Sequence, residues 1–518
     1  MTPLKKLSMA VLVCCAFSTA PVFAQQAETS NQPAAIQATD LEQVLNAQLI
    51  EQFSPGLAVA VVADGKIIFS KGYGKLALGA VGTASAASAA NAANAVTADT
   101  PFYIASTTKA FSAHIAAQLA EKGVFSLKTP VTKLMPGLRF HPDIKADEIT
   151  LERLLNHTHG IDGDGPIGII TSYTGSPSGS EALQALLAQH PPAKTGNQFD
   201  YSNIGPIVAA WIIEHKTGKP WQDLVDELIF KPLKMQHSAN RLSQVKHLAL
   251  AQGHEISPDG FHPAKIKKQD ANMHAVGGTF SSANDLAAWL GVHLQQGQWQ
   301  GKTLYSPQLM AQAWTETAKQ DRMAAGMKRV GWSLGWDIAQ YKGQKIVLRP
   351  GGFTGYGAHI SMMPERGMGV VVLSNGGRIS SMLSEHIVNS LYALLLKEPN
   401  YQATRIAGEA RLSAMHGRAL LSLQADLKKR ADRQKPLPLP LEDYTGTFQS
   451  SFGTLKSSIK DNRLHLQMGL VADDAEVFDA DKHAFRTELF GGGQTFTYVF
   501  AEGKVKEINL GGTIFRKM

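Results

Sequence analysis

Phe102-Tyr103-Ile104-Ala105-Ser106-Thr107-Thr108-Lys109 passes from a short strand-like apolar run into the start of a helix. From Ser106 to Glu121 the residues are apolar nearly all round, and Lys122-Gly123 then supplies the cationic last turn and the glycine expected at a helix end. The pattern predicts a buried helix. It puts Ser106 at the N-terminus and Lys109 one turn on, and positions three apart share a helix face. A serine hydroxyl is a poor nucleophile until a base takes its proton, and a lysine desolvated inside a protein has the lowered pKa that lets it do so. A serine cap beside a solvated lysine fits the same four residues, so the surrounding elements must decide.

Toward the N-terminus, Gly56 to Val62 reads as a buried strand, Asp64-Gly65 as a tight turn and Lys66 to Lys71 as the return strand. Between this hairpin and the helix, Ala80 to Ala95 is almost only Ala, Ser, Asn and Gly; such a segment cannot supply a core and reads as an inserted surface loop. Toward the C-terminus, Ile204 to Lys216 and Trp221 to Lys234 read as helices, and Ile346 to Arg349, Ala358 to Met363 and Met368 to Leu373 as strands. Glu409 to Lys435 is a charged, helix-prone stretch, and Pro436, Pro438 and Pro440 break it into a stiff connector. A domain boundary is expected there. Beyond it, Leu455 to Ile459, Leu464 to Met468, Glu476 to Asp479, Thr495 to Ala501 and Val505 to Leu510 alternate between turn signals, which predicts a small antiparallel barrel or sandwich.

A chain of 518 residues holds more than one compact unit. With 44% hydrophobic and 18% charged residues it can bury a core, which excludes wholesale disorder. A net charge of +7 is mild at this length and gives no nucleic-acid footprint. The only cysteines, Cys14 and Cys15, lie within the apolar run Leu7 to Phe23, behind Lys5 and Lys6 and ahead of the small-residue spacing Val22-Phe23-Ala24. This is the three-part plan of a secretory signal peptide, with cleavage expected after Ala24. An uncleaved membrane anchor is the alternative, although Ser18, Thr19 and Pro21 interrupt a stretch already short for spanning. The expected product is exported, periplasmic or secreted, without a stable membrane span and without cysteine for disulfides or thiol catalysis.

Two further elements carry chemistry. Tyr201-Ser202-Asn203 stands at the entry to the helix near Gly205, where a loop can direct a phenol and an amide into one cleft; neighbouring cations can lower a tyrosine from its usual value near 10 and make it a base. Arg349-Pro350-Gly351-Gly352 ends an apolar strand, and its glycines allow backbone to approach a ligand closely.

In order and spacing these blocks resemble the serine β-lactamase-like, penicillin-recognising hydrolases: class C β-lactamases, DD-peptidases, D-aminopeptidases and related esterases. The resemblance covers roughly residues 41 to 397. Besides Phe102 to Lys109 it includes Leu154-Leu155-Asn156-His157-Thr158-His159-Gly160, Phe199-Asp200-Tyr201-Ser202-Asn203, Ile229-Phe230-Lys231-Pro232-Leu233 and Gly277-Gly278-Thr279-Phe280-Ser281-Ser282 with Asp285-Leu286. Tyr444-Thr445-Gly446-Thr447-Phe448 resembles the start of the lipocalin-like β domain found behind many such hydrolases. The resemblance implies an α/β (α+β) fold: an antiparallel sheet of five or so strands with flanking helices, a helical subdomain, and a small all-β barrel behind. The expected organisation is a signal peptide over 1–24, a polar leader over 25–40, a catalytic domain over 41–400, a helical and Pro-rich linker over 401–440 and the barrel over 441–518.

The same resemblance implies that Ser106 is the acylated nucleophile, that Lys109 and Tyr201 share proton transfer, and that Asn203 holds a substrate amide. Backbone N–H groups of Ser106 and Gly352 would form the oxyanion hole, with no metal or organic cofactor. Arg349-Pro350-Gly351 departs from the family's usual Lys-Thr-Gly or His-x-Gly. Arg349 keeps a positive charge that can hold Tyr201 ready, whereas Pro350 removes a hydroxyl and an N–H that would meet a substrate carboxylate. The expected partner is a small-molecule or peptide substrate, such as a cell-wall fragment, and no nucleic acid. Two rival readings are a non-catalytic binder of penicillin or cell-wall fragments on the same fold, and a zinc hydrolase built on His157-Thr158-His159, a near miss for a His-x-His-x-Asp-His motif.

Overall fold

The computed structural model describes residues 37–78, 94–163, 165–175, 179–245, 247–324, 327–433 and 435–518. The expected signal peptide, most of the polar leader and all but the last two residues of the Ala-rich insertion lie outside them. The end of the leader is already helical, in Ala38–Gln43.

The main sheet is antiparallel and has eight strands: β1 (Gly56–Ala63), β2 (Lys66–Gly74), β3 (Ala318–Ala324), β4 (Met327–Trp332), β5 (Asp337–Tyr341), β6 (Gln344–Phe353), β7 (Tyr356–Met363) and β8 (Met368–Ser374), in the order β2-β1-β8-β7-β6-β5-β4-β3. Asp64 and Gly65 take the positive φ values of 49° and 71° that a two-residue hairpin turn requires. The strand β1 is Gly-Leu-Ala-Val-Ala-Val-Val-Ala because both of its faces are covered. Ala58, Ala60 and Val62 pack in one core with Leu286, Trp289 and Leu290 of helix Ala283–Leu294. Against the other face of the sheet, over β7 and β8, lies helix Gly377–Leu395, whose Tyr392 donates to Ser361 Oγ of β7 at 3.0 Å.

The sheet exceeds the expected five or so strands because β3, β4 and β5 carry Lys319, Asp321, Arg322, Lys328, Arg329 and Asp337, which hide their alternation. Those charges have structural causes: β3 is an edge strand, where charge blocks unwanted pairing, and the Arg329–Asp337 pair is buried.

The expected buried helix is Lys109–Glu121, preceded by a 3-10 turn over Ala105–Thr108 that holds Ser106. Ile204–Thr217 is helical as expected. Trp221 to Leu233 is helical throughout, with a wider turn over Asp226–Phe230, and stops at Lys234, whose φ is 56°.

Residues 401 to 431 form one long helix, Tyr401–Ala431, in which only Gly408, Leu412 and His416 are buried. This explains a sequence charged nearly all round. The Pro-rich stretch leads into nine antiparallel strands in near-barrel order, from Val471–Asp474 at one end to Glu476–Asp479 at the other, around Tyr444, Phe448, Leu466, Phe485, Tyr498 and Phe515. Four of these strands, Gly446–Ser450, Val471–Asp474, Ala484–Thr487 and Thr513–Lys517, are additional to the five expected from the sequence. The β domain is docked on the rest of the chain. Leu470 N donates to Thr174 O at 2.8 Å, Lys265 pairs with Asp473 at 2.7 Å, and Ile266 is buried in the barrel's own core cluster.

Candidate active site

The chain enters the Ser106 turn through a strained residue. Ala105 has φ 46°, a left-handed conformation that costs a non-glycine residue on the order of 1–3 kcal/mol, and it turns the strand Phe102–Tyr103 sharply into the helix. Two contacts hold the turn against β6. Thr107 Oγ1 donates to Arg349 O at 3.0 Å, and the Gly351 backbone passes so close that a Cβ there would lie 2.0 Å from Ile104 O. Gly351 is therefore required for the approach of β6 to the serine. The next residue, Gly352, is exposed, with nothing within 4 Å of where its Cβ would be, so the space beside the serine turn stays open.

Lys109 is the hub. Although it is 1% exposed, no carboxylate among the described residues pairs with it; its Nζ contacts Ser106 Oγ at 3.0 Å, Asn203 Oδ1 at 2.8 Å and Val276 O at 2.9 Å. Burial pushes this ammonium below its ordinary value; Tyr201 opposes that shift and the charge of Arg349 adds to it. The Val276 carbonyl comes from the segment leading into Gly277-Gly278-Thr279, so that block places an acceptor rather than a side chain.

Tyr201 receives a hydrogen bond from Arg349 Nη2 at 3.2 Å, and its ring lies 5.2 Å from Lys109 Nζ and 5.0 Å from the Arg349 guanidinium. Burial alone would raise this phenol, but the charges of Arg349 and Lys109 and hydrogen bonding from Lys109 and Ser106 outweigh it and bring the phenol down to about 8. Arg349 is 4% exposed, stacks its guanidinium 4.9 Å from the Trp332 ring, and lies 3.6 Å from the fully buried Asp337 carboxylate, which also pairs with Arg329 at 2.5 Å. Arg349 thus faces Tyr201 from inside the sheet. Pro350, opposite His359 in the β6–β7 ladder, offers no N–H.

All seven residues expected at the site, Ser106, Lys109, Tyr201, Asn203, Arg349, Gly351 and Gly352, lie around this one cluster. Asp337, Arg329 and Trp332 escaped the sequence reading. The only signal for Asp337 is a carboxylate inside the apolar run Leu334 to Ala339.

His157 and His159 serve the same cluster structurally. His157 Nδ1 accepts from Ser202 N at 3.3 Å, and its ring packs 4.7 Å from both Tyr201 and Trp332. His159 Nδ1 accepts from Ile161 N at 3.1 Å, and its Nε2 meets Ser202 Oγ at 3.1 Å. Burial holds both imidazoles below their ordinary value. The pair anchors the Tyr201-Ser202-Asn203 loop. This corrects the zinc alternative, because among the described residues no group of three or more His, Cys, Asp or Glu is placed to hold a metal ion.

Comparison with known proteins agrees with this fold. The unguisins hydrolase ungD' of Aspergillus campestris is 28% identical over 349 residues, 65% of this chain and 61% of that protein, so the chain spans about three-fifths of this relative's length. Among solved structures, the octameric penicillin-binding protein homologue from Pyrococcus abyssi superposes with a TM-score of 0.57 at 21% identity, covering 93% of this chain and all of that one. The D-amino acid amidase from Ochrobactrum anthropi SV3 does so with a TM-score of 0.53 at 20% identity, covering 69% of this chain and 96% of that one. A family model described as beta-lactamase matches residues 41–388, which include every member of the Ser106 cluster. The chain belongs to the beta-lactamase family of serine hydrolases.

Proposed function

We propose that this protein is an exported serine hydrolase that transfers an acyl group from a peptide, amide or ester to water through an ester on Ser106. The observation that carries the reading is Lys109: a buried ammonium within hydrogen-bond distance of Ser106, without a carboxylate partner among the described residues, and beside a phenol brought down to about 8. Ser106 Oγ attacks the substrate carbonyl carbon while its proton passes to the Lys109–Tyr201 pair, and the backbone N–H groups of Ser106 and Gly352 take the developing oxyanion. The C–N or C–O bond then breaks as Tyr201 returns the proton to the leaving group. Water, deprotonated by the same pair, attacks the ester carbonyl, and Ser106 recovers its proton as the acid leaves.

Similarity to an unguisins hydrolase and to a D-amino acid amidase supports an amide or peptide substrate. Export is supported by the signal-peptide pattern of Lys5, Lys6, the apolar run Leu7 to Phe23 and Val22-Phe23-Ala24. No helix among the described residues is long and apolar enough to cross a membrane. A panel of D-amino acid amides, short-chain esters and a chromogenic cephalosporin tests the reading. Turnover of an amide or ester that is absent in Ser106→Ala is the expected result, and no turnover of any of the three classes would contradict it.

A further inference from the structure

A cavity of about 480 Å³ opens beside Asn203, the residue that shares Lys109 with Ser106. Its size is within the range of small-molecule pockets, about 300–1,000 Å³. One wall comes from the helical subdomain, through Gly168 and Tyr173, and the other from the barrel, through Phe452, Phe490, Leu510 and Phe515. Among the described residues that line it, none carries a charge. The barrel is fixed in this position by the Leu470–Thr174 and Lys265–Asp473 contacts and by the Tyr173 ring packing 5.7 Å from Phe490. A wall held this way can discriminate size.

Resting on the hydrolase reading above, we infer that this barrel-walled cavity is the acyl-side specificity pocket and that it selects a large uncharged apolar group on the acyl half of the substrate. The side follows from the proton path. Tyr201, tied to Arg349, returns the proton to the departing group, so the leaving group sits on the Tyr201–Arg349 flank of Ser106. Asn203 is a further partner of Lys109, and the cavity opens there. The chemistry follows from the lining: an aromatic and aliphatic wall rewards buried methylenes at up to about fourfold in affinity each, and no described counter-ion would offset the desolvation of a charged group.

The glycines on the subdomain wall supply the test. A Cβ at Gly163 would lie 2.5 Å from Ser202 Cβ, and one at Gly165 would lie 2.3 Å from the His190 ring, so those positions do not tolerate a side chain. Gly168 has nothing within 4 Å and no left-handed φ, so Gly168→Phe puts a ring into the cavity without backbone strain. Phe490→Ala removes part of the opposite wall instead. The kcat/KM of p-nitrophenyl acetate, butanoate, hexanoate and octanoate is measured in the full-length wild type and in each variant, with Ser106 labelling by a small fluorophosphonate read by intact mass. The wild type is expected to prefer the longer chains by at least tenfold. Gly168→Phe should lose that preference and keep acetate turnover and labelling, and Phe490→Ala should weaken the preference severalfold. If both variants keep the wild-type chain-length profile while acetate is turned over, the pocket assignment is overturned and the hydrolase reading stands. If wild-type Ser106 neither labels nor turns over any ester, both are overturned.

Discussion

Arg349 donates from Nη2 to the Tyr201 hydroxyl at 3.2 Å, from a side chain buried between Tyr201, the Trp332 ring and the Asp337 carboxylate. A permanent cation thus stands where much of the family has a lysine or histidine. An arginine keeps its charge through the whole working pH range, so it can bias the phenol toward its anion without itself exchanging a proton.

The first consequence is a pH profile. With Tyr201 brought down to about 8, its basic form is present above that pH and is lost as pH falls, so kcat/KM should rise from pH 6 to a plateau above about 8. Replacing the cation in Arg349→Gln raises the phenol, and the rising limb should move to higher pH by about one unit or more. A rate–pH series on the two proteins checks this, and an unmoved limb would assign the titration elsewhere.

Lys109 and Tyr201 should behave as one unit. Lys109→Ala and Tyr201→Phe are each expected to lower kcat by about 10²–10⁴-fold, the range of a lost general base. The double variant should fall less than about tenfold further, because groups that act together are not additive. Independent losses that multiply would separate their roles.

Asp337 should matter first for stability. It is fully buried between Arg329 and Arg349; burial raises its carboxyl, but the two guanidinium charges prevail and hold it below its usual value. Asp337→Asn leaves two buried cations uncompensated and should cost roughly 3–5 kcal/mol in denaturant unfolding. A folded-state value held below the unfolded one also means that the contribution is present near neutrality and lost as pH falls through the acid range. The variant should therefore lose part of the wild type's stability difference between pH 7 and pH 4.

Substrate class follows from Pro350. A β-lactam carries a carboxylate beside its reactive carbonyl, and here the strand offers neither a hydroxyl nor an N–H at Pro350. One lost charge-assisted hydrogen bond is worth about 1.5–3 kcal/mol, or roughly ten- to a hundredfold in rate. Esters or D-amino acid amides should outpace a cephalosporin, and Pro350→Thr should narrow the gap. A wild type that already prefers the cephalosporin would sink this prediction.

The sequence announced β1, Lys109–Glu121 and Ile204–Thr217 because each is buried over most of its length and reads as a largely apolar run. It also announced the Ser106, Tyr201 and Arg349 blocks, since turns that present chemistry carry recognisable residues at short spacing. The strands β3, β4 and β5 stayed hidden, because the residues that would mark their alternation were spent on charge: edge protection in β3 and a buried ion cluster in β4 and β5. Support for Arg349 by Asp337 and Trp332 was equally invisible. It depends on which strands become neighbours, and β4, β5 and β6 meet side by side only after the sheet is assembled. His157 and His159 illustrate the opposite hazard: two imidazoles spaced like metal ligands turn out to hold a loop through Ser202 and Ile161.

Every step of the proposed reaction passes through Ser106 as the nucleophile, and intact-mass spectrometry after exposure to a fluorophosphonate tests this directly. The wild type should gain the mass of one phosphonyl group, peptide mapping should place it on Ser106, and Ser106→Ala should gain nothing. A Ser106→Ala protein that still takes up the label, or a folded wild type that takes up none, would contradict the account.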